Sequence, residues 1–230
     1  MNRFFTVMLM ISFLSIVSCA KEDGNNKKPT DALDKTTTEK EMVSENTNEM
    51  KLTPPTLDEV GDPDEVAVLE TSKGKIVFEF YPDLAPLHVA NFKKLANAGF
   101  YNGTTFHRVL TGFVIQGGDP NSKDDNPYND GTGGPPYKVK AEFSDYKHVH
   151  GTLSMARSGS PNSAGSQFFI CLGRTAHLDG KYTVFGQVIE GLDIVDKIGA
   201  VRRDPSNAAD RELPAVVMNK VYIIKKSELK

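Results

Sequence analysis

From residue 66 onward the chain alternates apolar and polar positions in short runs, whereas the stretch 21–65 has scattered single hydrophobes and no sustained period. Val66 and Val68, then Ile76, Phe78 and Phe80, are expected to alternate with polar or exposed neighbours on either side of Ser72-Lys73-Gly74-Lys75. That pattern predicts a strand, a tight turn and a second, antiparallel strand. Pro86 opens a helix with Val89, Phe92, Leu95 and Ala96 on one face, and Gly99 closes it. Proline at the start and glycine past the end are the expected helix punctuation. Further β-type runs fall at 113–116, 151–155, 167–172, 183–188 and 217–225, with a brief second helix at 192–198. Many short strands with few helices predict a mainly β domain, barrel or sandwich, and there is no internal repeat. The segment 117–139 is dense in Gly, Pro, Asn and Asp without apolar periodicity. A loop of that length inside a compact domain is functional or mobile.

Charge divides the chain at the same place. Residues 21–65 hold 6 Lys against 13 acidic residues, whereas 66–230 hold 20 basic and 17 acidic. So polar a tract cannot bury enough surface to offset its chain entropy, which predicts a disordered tether. A flexible segment of about 40 residues reaches roughly 35 Å. The mild positive charge of the remainder is too scattered for a nucleic-acid footprint. At the other end, Arg3 precedes an apolar run from Phe4 to Val17, the length of a secretory signal and too short to span a bilayer. Ile16-Val17-Ser18-Cys19 then resembles a bacterial lipobox, in which the cysteine becomes the lipidated first residue of the mature protein. The expected organisation is a signal peptide at 1–18, a lipidated Cys19 with a tether to 65, and one domain over 66–226. The only other cysteine, Cys171, has no disulfide partner and sits in an apolar run, as a small core residue would.

Several chemistries are excluded. Gly131-Thr132-Gly133-Gly134 follows Asn129-Asp130 rather than a strand and precedes Pro135-Pro136 rather than a helix, so no helix amino terminus is there to hold a phosphate. Asp119, Asp124, Asp125 and Asp130 lack the alternation and terminal glutamate of a calcium loop, and solvated turns are expected instead. Of five histidines only His148 and His150 are closely spaced, pointing the same way along a strand, and two ligands do not make a zinc site. No serine sits in a G-x-S-x-G elbow. No metal or cofactor is expected.

What remains is Phe106-His107-Arg108 followed by Gly112-Phe113-Val114-Ile115-Gln116-Gly117-Gly118. A permanently charged guanidinium in such apolar company is costly unless something accepts its five donors. Gly165-Ser166-Gln167-Phe168-Phe169-Ile170 forms a second half: alternation puts Gln167 and Phe169 on one face, Phe168 and Ile170 on the other. Together with Gly131-Thr132-Gly133-Gly134, Leu153-Ser154-Met155-Ala156, Leu178-Asp179-Gly180-Lys181 and Val184-Phe185-Gly186, these motifs resemble the cyclophilin family, in order and with family-like spacing, over about residues 66–224.

The resemblance implies a closed eight-stranded antiparallel β-barrel capped by two α-helices, with peptidyl-prolyl cis-trans isomerase activity in a groove on its outside. It implies Arg108 as the catalytic residue, a proline pocket of Phe113, Val114, Gln116, Phe169 and Leu178, peptide contacts from Ala156 and Gln167, and His177 and Tyr182 as further substrate-binding residues. His107 is implied to support packing rather than proton transfer. The chain departs from the best-known pattern at four places: His177 where a tryptophan often stands, Tyr182 where histidine is frequent, Val114 for a common methionine, and 157–164 for a shorter, asparagine-containing segment. The expected protein is a lipid-anchored monomer that isomerises proline-containing polypeptides on the extracytoplasmic side of a bacterial membrane. A proline-peptide holdase or adaptor is the alternative, though capture alone does not demand the arginine.

Overall fold

The computed structural model describes residues 52–201 and 215–229, so the leader, Cys19 and the tether up to residue 51 lie outside the described residues. Its frame is one antiparallel sheet of eight strands: β1 (Glu65–Thr71), β2 (Gly74–Phe80), β3 (Arg108–Leu110), β4 (Val114–Gly117), β5 (Thr152–Met155), β6 (Phe168–Cys171), β7 (Val184–Glu190) and β8 (Met218–Lys225). They lie in the order β3-β4-β6-β5-β7-β2-β1-β8. Helices α1 (Pro86–Asn97) and α2 (Leu192–Gly199) pack on the curled sheet. The barrel is not closed along its whole length. β3 and β8 are the two edges, and the seam between them carries one bridge, Thr105 to Val217, and a few backbone hydrogen bonds such as Phe106 N–H to the Val216 carbonyl at 3.0 Å. The strand at the β3 edge is too short to pair fully with the eight residues of β8.

The hairpin and both helices stand where the periodicity places them, while β3 has no alternation long enough to announce it. Inside the barrel Phe78, Phe92, Phe168 and Phe185 pack edge to face or tilted on one another, with Phe92 stacked on Tyr101 and Phe168 edge to face with it. The α1 face joins them: Val89, Phe92 and Leu95 are buried, each contributing about 1.5–3 kcal/mol by leaving water. Alternation along β6 is as expected. Phe168 and Ile170 enter the barrel core, while Phe169 and Cys171 join Val114 and Leu178 in a separate cluster on the outer face. Gln167 lies one residue ahead of the strand rather than in it.

Three further expectations are corrected. Residues 52–64, assigned to the tether, form a collar on α1: Leu52 and Val60 pack against the core, and buried Lys93 donates to the carbonyls of Val60 and Asp62 at 2.8 and 2.9 Å. A sequence too polar to fold alone is ordered here by a tertiary partner. His148 and His150 are not on a strand and do not share a direction. His148 is fully buried against Asp179 and Ser154, while His150 pairs with Asp196 at the surface. Asp119, expected in a solvated turn, is fully buried; it accepts from Asn121 N–H at 2.8 Å and Gly133 N–H at 3.1 Å, folding the 117–139 loop back on itself.

Candidate functional site

Arg108 opens β3 and stands directly across from Gln116 on β4. β4 in turn pairs with β6, which sets Gln116 opposite Phe169 and Val114 opposite Cys171. Three adjacent strands therefore present Arg108, Gln116, Val114 and Phe169 on the outer surface of the sheet. Leu178 belongs to a short 3-10 turn, Ala176–Leu178, and closes the far side. Arg108, Phe113, Val114, Gln116, Ala156, Arg157, Phe169, Leu178 and Tyr182 line one open cavity of about 130 Å³. Phe169, Val114 and Leu178 are nearly buried, with Phe113, Ala156 and Tyr182 packed on them, so the floor is apolar and preformed.

The polar wall is a relay of amides. The Arg108 guanidinium donates to Gln116 Oε1 in a long hydrogen bond of 3.4 Å; Gln116 Nε2 donates to Gln167 Oε1 at 3.0 Å; Gln167 Nε2 donates to the Gly133 carbonyl at 2.9 Å. Each amide has both its ends engaged, so the chain fixes which way Gln116 faces and keeps its oxygen toward the arginine. The Gly118 backbone, at φ 84°, makes this possible, because a Cβ there would stand 2.6 Å from the Ser166 carbonyl just ahead of Gln167.

His177 lies on the rim, exposed, and stacks on Phe113 with ring centroids 5.3 Å apart and planes at 21°. It covers one face of Phe113 with a smaller ring than tryptophan would. Tyr182 meets Phe169 edge to face at 5.7 Å. His107, next to Arg108 in the chain, is buried and does not line this cavity, and burial lowers its pKa. Beneath Phe169, burial pushes the Cys171 thiol up to about 11, which leaves it protonated and inert. His148 stacks behind Phe169 at 6.1 Å and reaches Asp179 at 3.1 Å and Ser154 at 3.1 Å; the Arg174 guanidinium beside Asp179 holds its carboxyl far below the usual range.

All of the expected pocket residues gather here except Gln167 and His177, which support the wall and rim. The residue that sequence reasoning did not place is Arg157. Its position in the segment that departs from the family pattern was the only signal, and without the fold nothing aims it at the cavity. No group of three or more His, Cys, Asp or Glu among the described residues could hold a metal. An apolar floor beside the guanidiniums of Arg108 and Arg157 suits a ligand that is gripped and polarised.

Comparison with known proteins points the same way. The family model for cyclophilin type peptidyl-prolyl cis-trans isomerase/CLD matches residues 66–223. A probable peptidyl-prolyl cis-trans isomerase of Brucella abortus is 48% identical over 142 residues, 60% of this chain and 72% of that protein. Peptidyl-prolyl cis-trans isomerase B of Bacillus subtilis is 53% identical over 121 residues, 52% of this chain and 79% of that protein. A crystal structure of a Cryptosporidium parvum cyclophilin type isomerase, determined in the presence of the dipeptide Ala-Pro, superposes with a TM-score of 0.62 at 30% identity, covering 70% of this chain and 99% of that one.

Proposed function

This chain belongs to the cyclophilin-type peptidyl-prolyl cis-trans isomerases, and we propose that it accelerates X-Pro rotation by a hydrogen bond from Arg108 to the prolyl amide, acting on unfolded or flexible envelope proteins. Rotation about an X-Pro bond meets a barrier of about 20 kcal/mol, because the planar amide loses resonance on twisting. In the twisted state the prolyl nitrogen becomes pyramidal and gains a lone pair. A donor aimed at that nitrogen stabilises the transition state more than the ground state. The Arg108 fork can hold Gln116 with one nitrogen while another meets the substrate. The observation that carries this reading is the cavity that places Arg108 against the apolar floor of Phe113, Val114, Phe169 and Leu178.

Magnitudes divide the work. A barrier of about 20 kcal/mol gives a rate near 0.01 per second, and about 1,000 per second requires removing roughly 7 kcal/mol. One charge-assisted hydrogen bond supplies about 1.5–3 kcal/mol of this. The rest comes from gripping the proline ring and shedding water from the amide, which the aromatic floor is built to do. The test is exchange spectroscopy on Ala-Pro and Leu-Pro peptides. Arg108→Ala is expected to keep fold and peptide binding and to lose tenfold to a hundredfold in turnover; wild-type turnover no faster than that of the variant would make the protein a capture module.

The envelope location rests on Phe4 to Val17 and the Ser18-Cys19 pair. In this reading a lipid on Cys19 holds the domain, as a monomer, on the extracytoplasmic side of a membrane. Cys19→Ala is then expected to move the mature protein from the membrane fraction to the soluble fraction.

A further inference from the structure

Beside the proline cavity lies a second one, of about 210 Å³, which shares Gln116, Ala156 and Arg157 with it and extends over Gly133, Lys138 and Ser163. Its lining contains two cations and no carboxylate. Arg157 is held on the shared wall. Its guanidinium carbon lies 4.5 Å from the centre of the Tyr182 ring, Nε and Nη2 donate to the Lys181 carbonyl at 3.2 and 3.1 Å, and Nη1 donates to the Ser158 carbonyl at 2.9 Å. Every one of these partners is neutral, so the charge is positioned without being compensated. Lys138 stands on the glycine side of the cavity, where Cβ atoms added at Gly134 and Gly165 would lie 4.0 and 3.7 Å from its Nζ.

Neither cation is paired with a carboxylate among the described residues. Asp119 is buried behind Gly133, its oxygens accepting from the Asn121 and Gly133 amides and, at 3.5 Å, from Gln167 Nε2, and neither Asp119 nor Asp130 lines the cavity. A concave polar site walled by two unneutralised cations attracts an anion, and the attraction strengthens as the occupant displaces water. A peptide whose proline sits over Phe169 and Leu178 must carry neighbouring residues across the wall formed by Gln116, Ala156 and Arg157.

We propose that this second cavity reads an acidic side chain, aspartate or glutamate, within two residues of the substrate proline, with Arg157 and Lys138 as the specificity-determining cations. The inference rests on the isomerase reading of the first cavity. It makes acidic X-Pro segments the preferred substrates of this chain.

The experiment measures isomerisation of peptides built on one Ala-Pro core, with Glu, Gln or Lys placed in turn at each of the two positions on either side. At one position the wild-type protein is expected to favour Glu over Gln about fivefold at low salt, equivalent to roughly 1 kcal/mol. Lys there is expected to be poorer than Gln, and the Glu preference to shrink in high salt. Lys138→Gln and Arg157→Gln each lower the Glu-to-Gln ratio, while Arg157→Lys restores most of it. Because the ratio is taken within one protein, a general loss of activity does not imitate the effect. Equal rates for Glu, Gln and Lys at every position overturn the proposal and leave the isomerase reading standing. Should no peptide be turned over, the isomerase reading fails, and the same ratios taken from chemical-shift titrations decide whether the cavity binds acidic peptides.

Discussion

Single side chains in this protein act through the partners that orient them. Gln116 accepts from Arg108 and donates to Gln167, so its replacement by leucine keeps the volume but removes one hydrogen bond from each neighbour. Gln116→Leu is expected to lower isomerisation about tenfold, the effect of roughly 1.4 kcal/mol, with little change in the thermal midpoint. A variant as active as the wild type would remove the relay from the proposed mechanism. The buried histidines set a pH dependence. Burial lowers the pKa of His107, and burial lowers that of His148 against the opposing pull of Asp179. A histidine whose folded pKa lies below its unfolded value binds fewer protons when folded. Stability is therefore full above the unfolded pKa of about 6.5 and falls as pH drops below it, levelling once the folded pKa is passed. Thermal midpoints measured from pH 7.5 to 5 are expected to fall below about pH 6.5, and less steeply in His107→Leu.

At the scale of elements, ends and edges are completed from a distance. α1 begins with Ala85, which offers no side-chain cap; instead Glu142 accepts from the Leu87 and His88 amides at 3.1 and 3.0 Å and from His88 Nδ1 at 2.7 Å. Burial works to raise the Glu142 pKa, but these bonds outweigh it and the net shift is downward. Glu142 thus contributes stability above the unfolded value of about 4.3, which is lost as pH falls through its lower folded pKa. Glu142→Ala is expected to cost about 1–3 kcal/mol, seen as a lower urea midpoint with an unchanged slope. The collar obeys the same logic. Removing residues 1–64 takes two carbonyl acceptors from buried Lys93 and uncovers the apolar surface under Leu52 and Val60. That truncation is expected to destabilise the domain by about 2–4 kcal/mol relative to one ending at residue 51. Equal midpoints for the two truncations would reduce the collar to decoration.

Over the whole molecule, the strand order makes one sheet whose weakest line is the seam between β3 and β8. Amide exchange is expected to run faster at Phe106 and Met218, across the seam, than at Leu69 and Phe78 in the β1-β2 pair. Protection at the seam equal to that of β1 would mean a fully cooperative barrel. Part of this architecture is legible in the chain, because Val89, Phe92, Leu95 and Ala96 repeat with the period of α1 and Ile76, Phe78 and Phe80 with that of β2, whereas β1 is buried on both faces, Ala67 and Leu69 on one and Val66 and Val68 on the other. The cyclophilin motifs likewise mark Arg108, Phe113, Gln116 and Phe169, since a charge and an amide inside apolar runs stand out in any sequence. β3 is not legible, because three residues hold no period; nor is the collar, whose order comes from Lys93 and not from itself. The sequence alone determined the first hairpin, both helices, the family and most of the side chains of the first cavity, all of which follow from local pattern. Only the tertiary structure decided that the barrel leaves a seam, that Glu142 caps α1 across 54 residues, and that Arg157 and Lys138 face one cavity. Those depend on distances between residues far apart in the chain, and no local pattern encodes them.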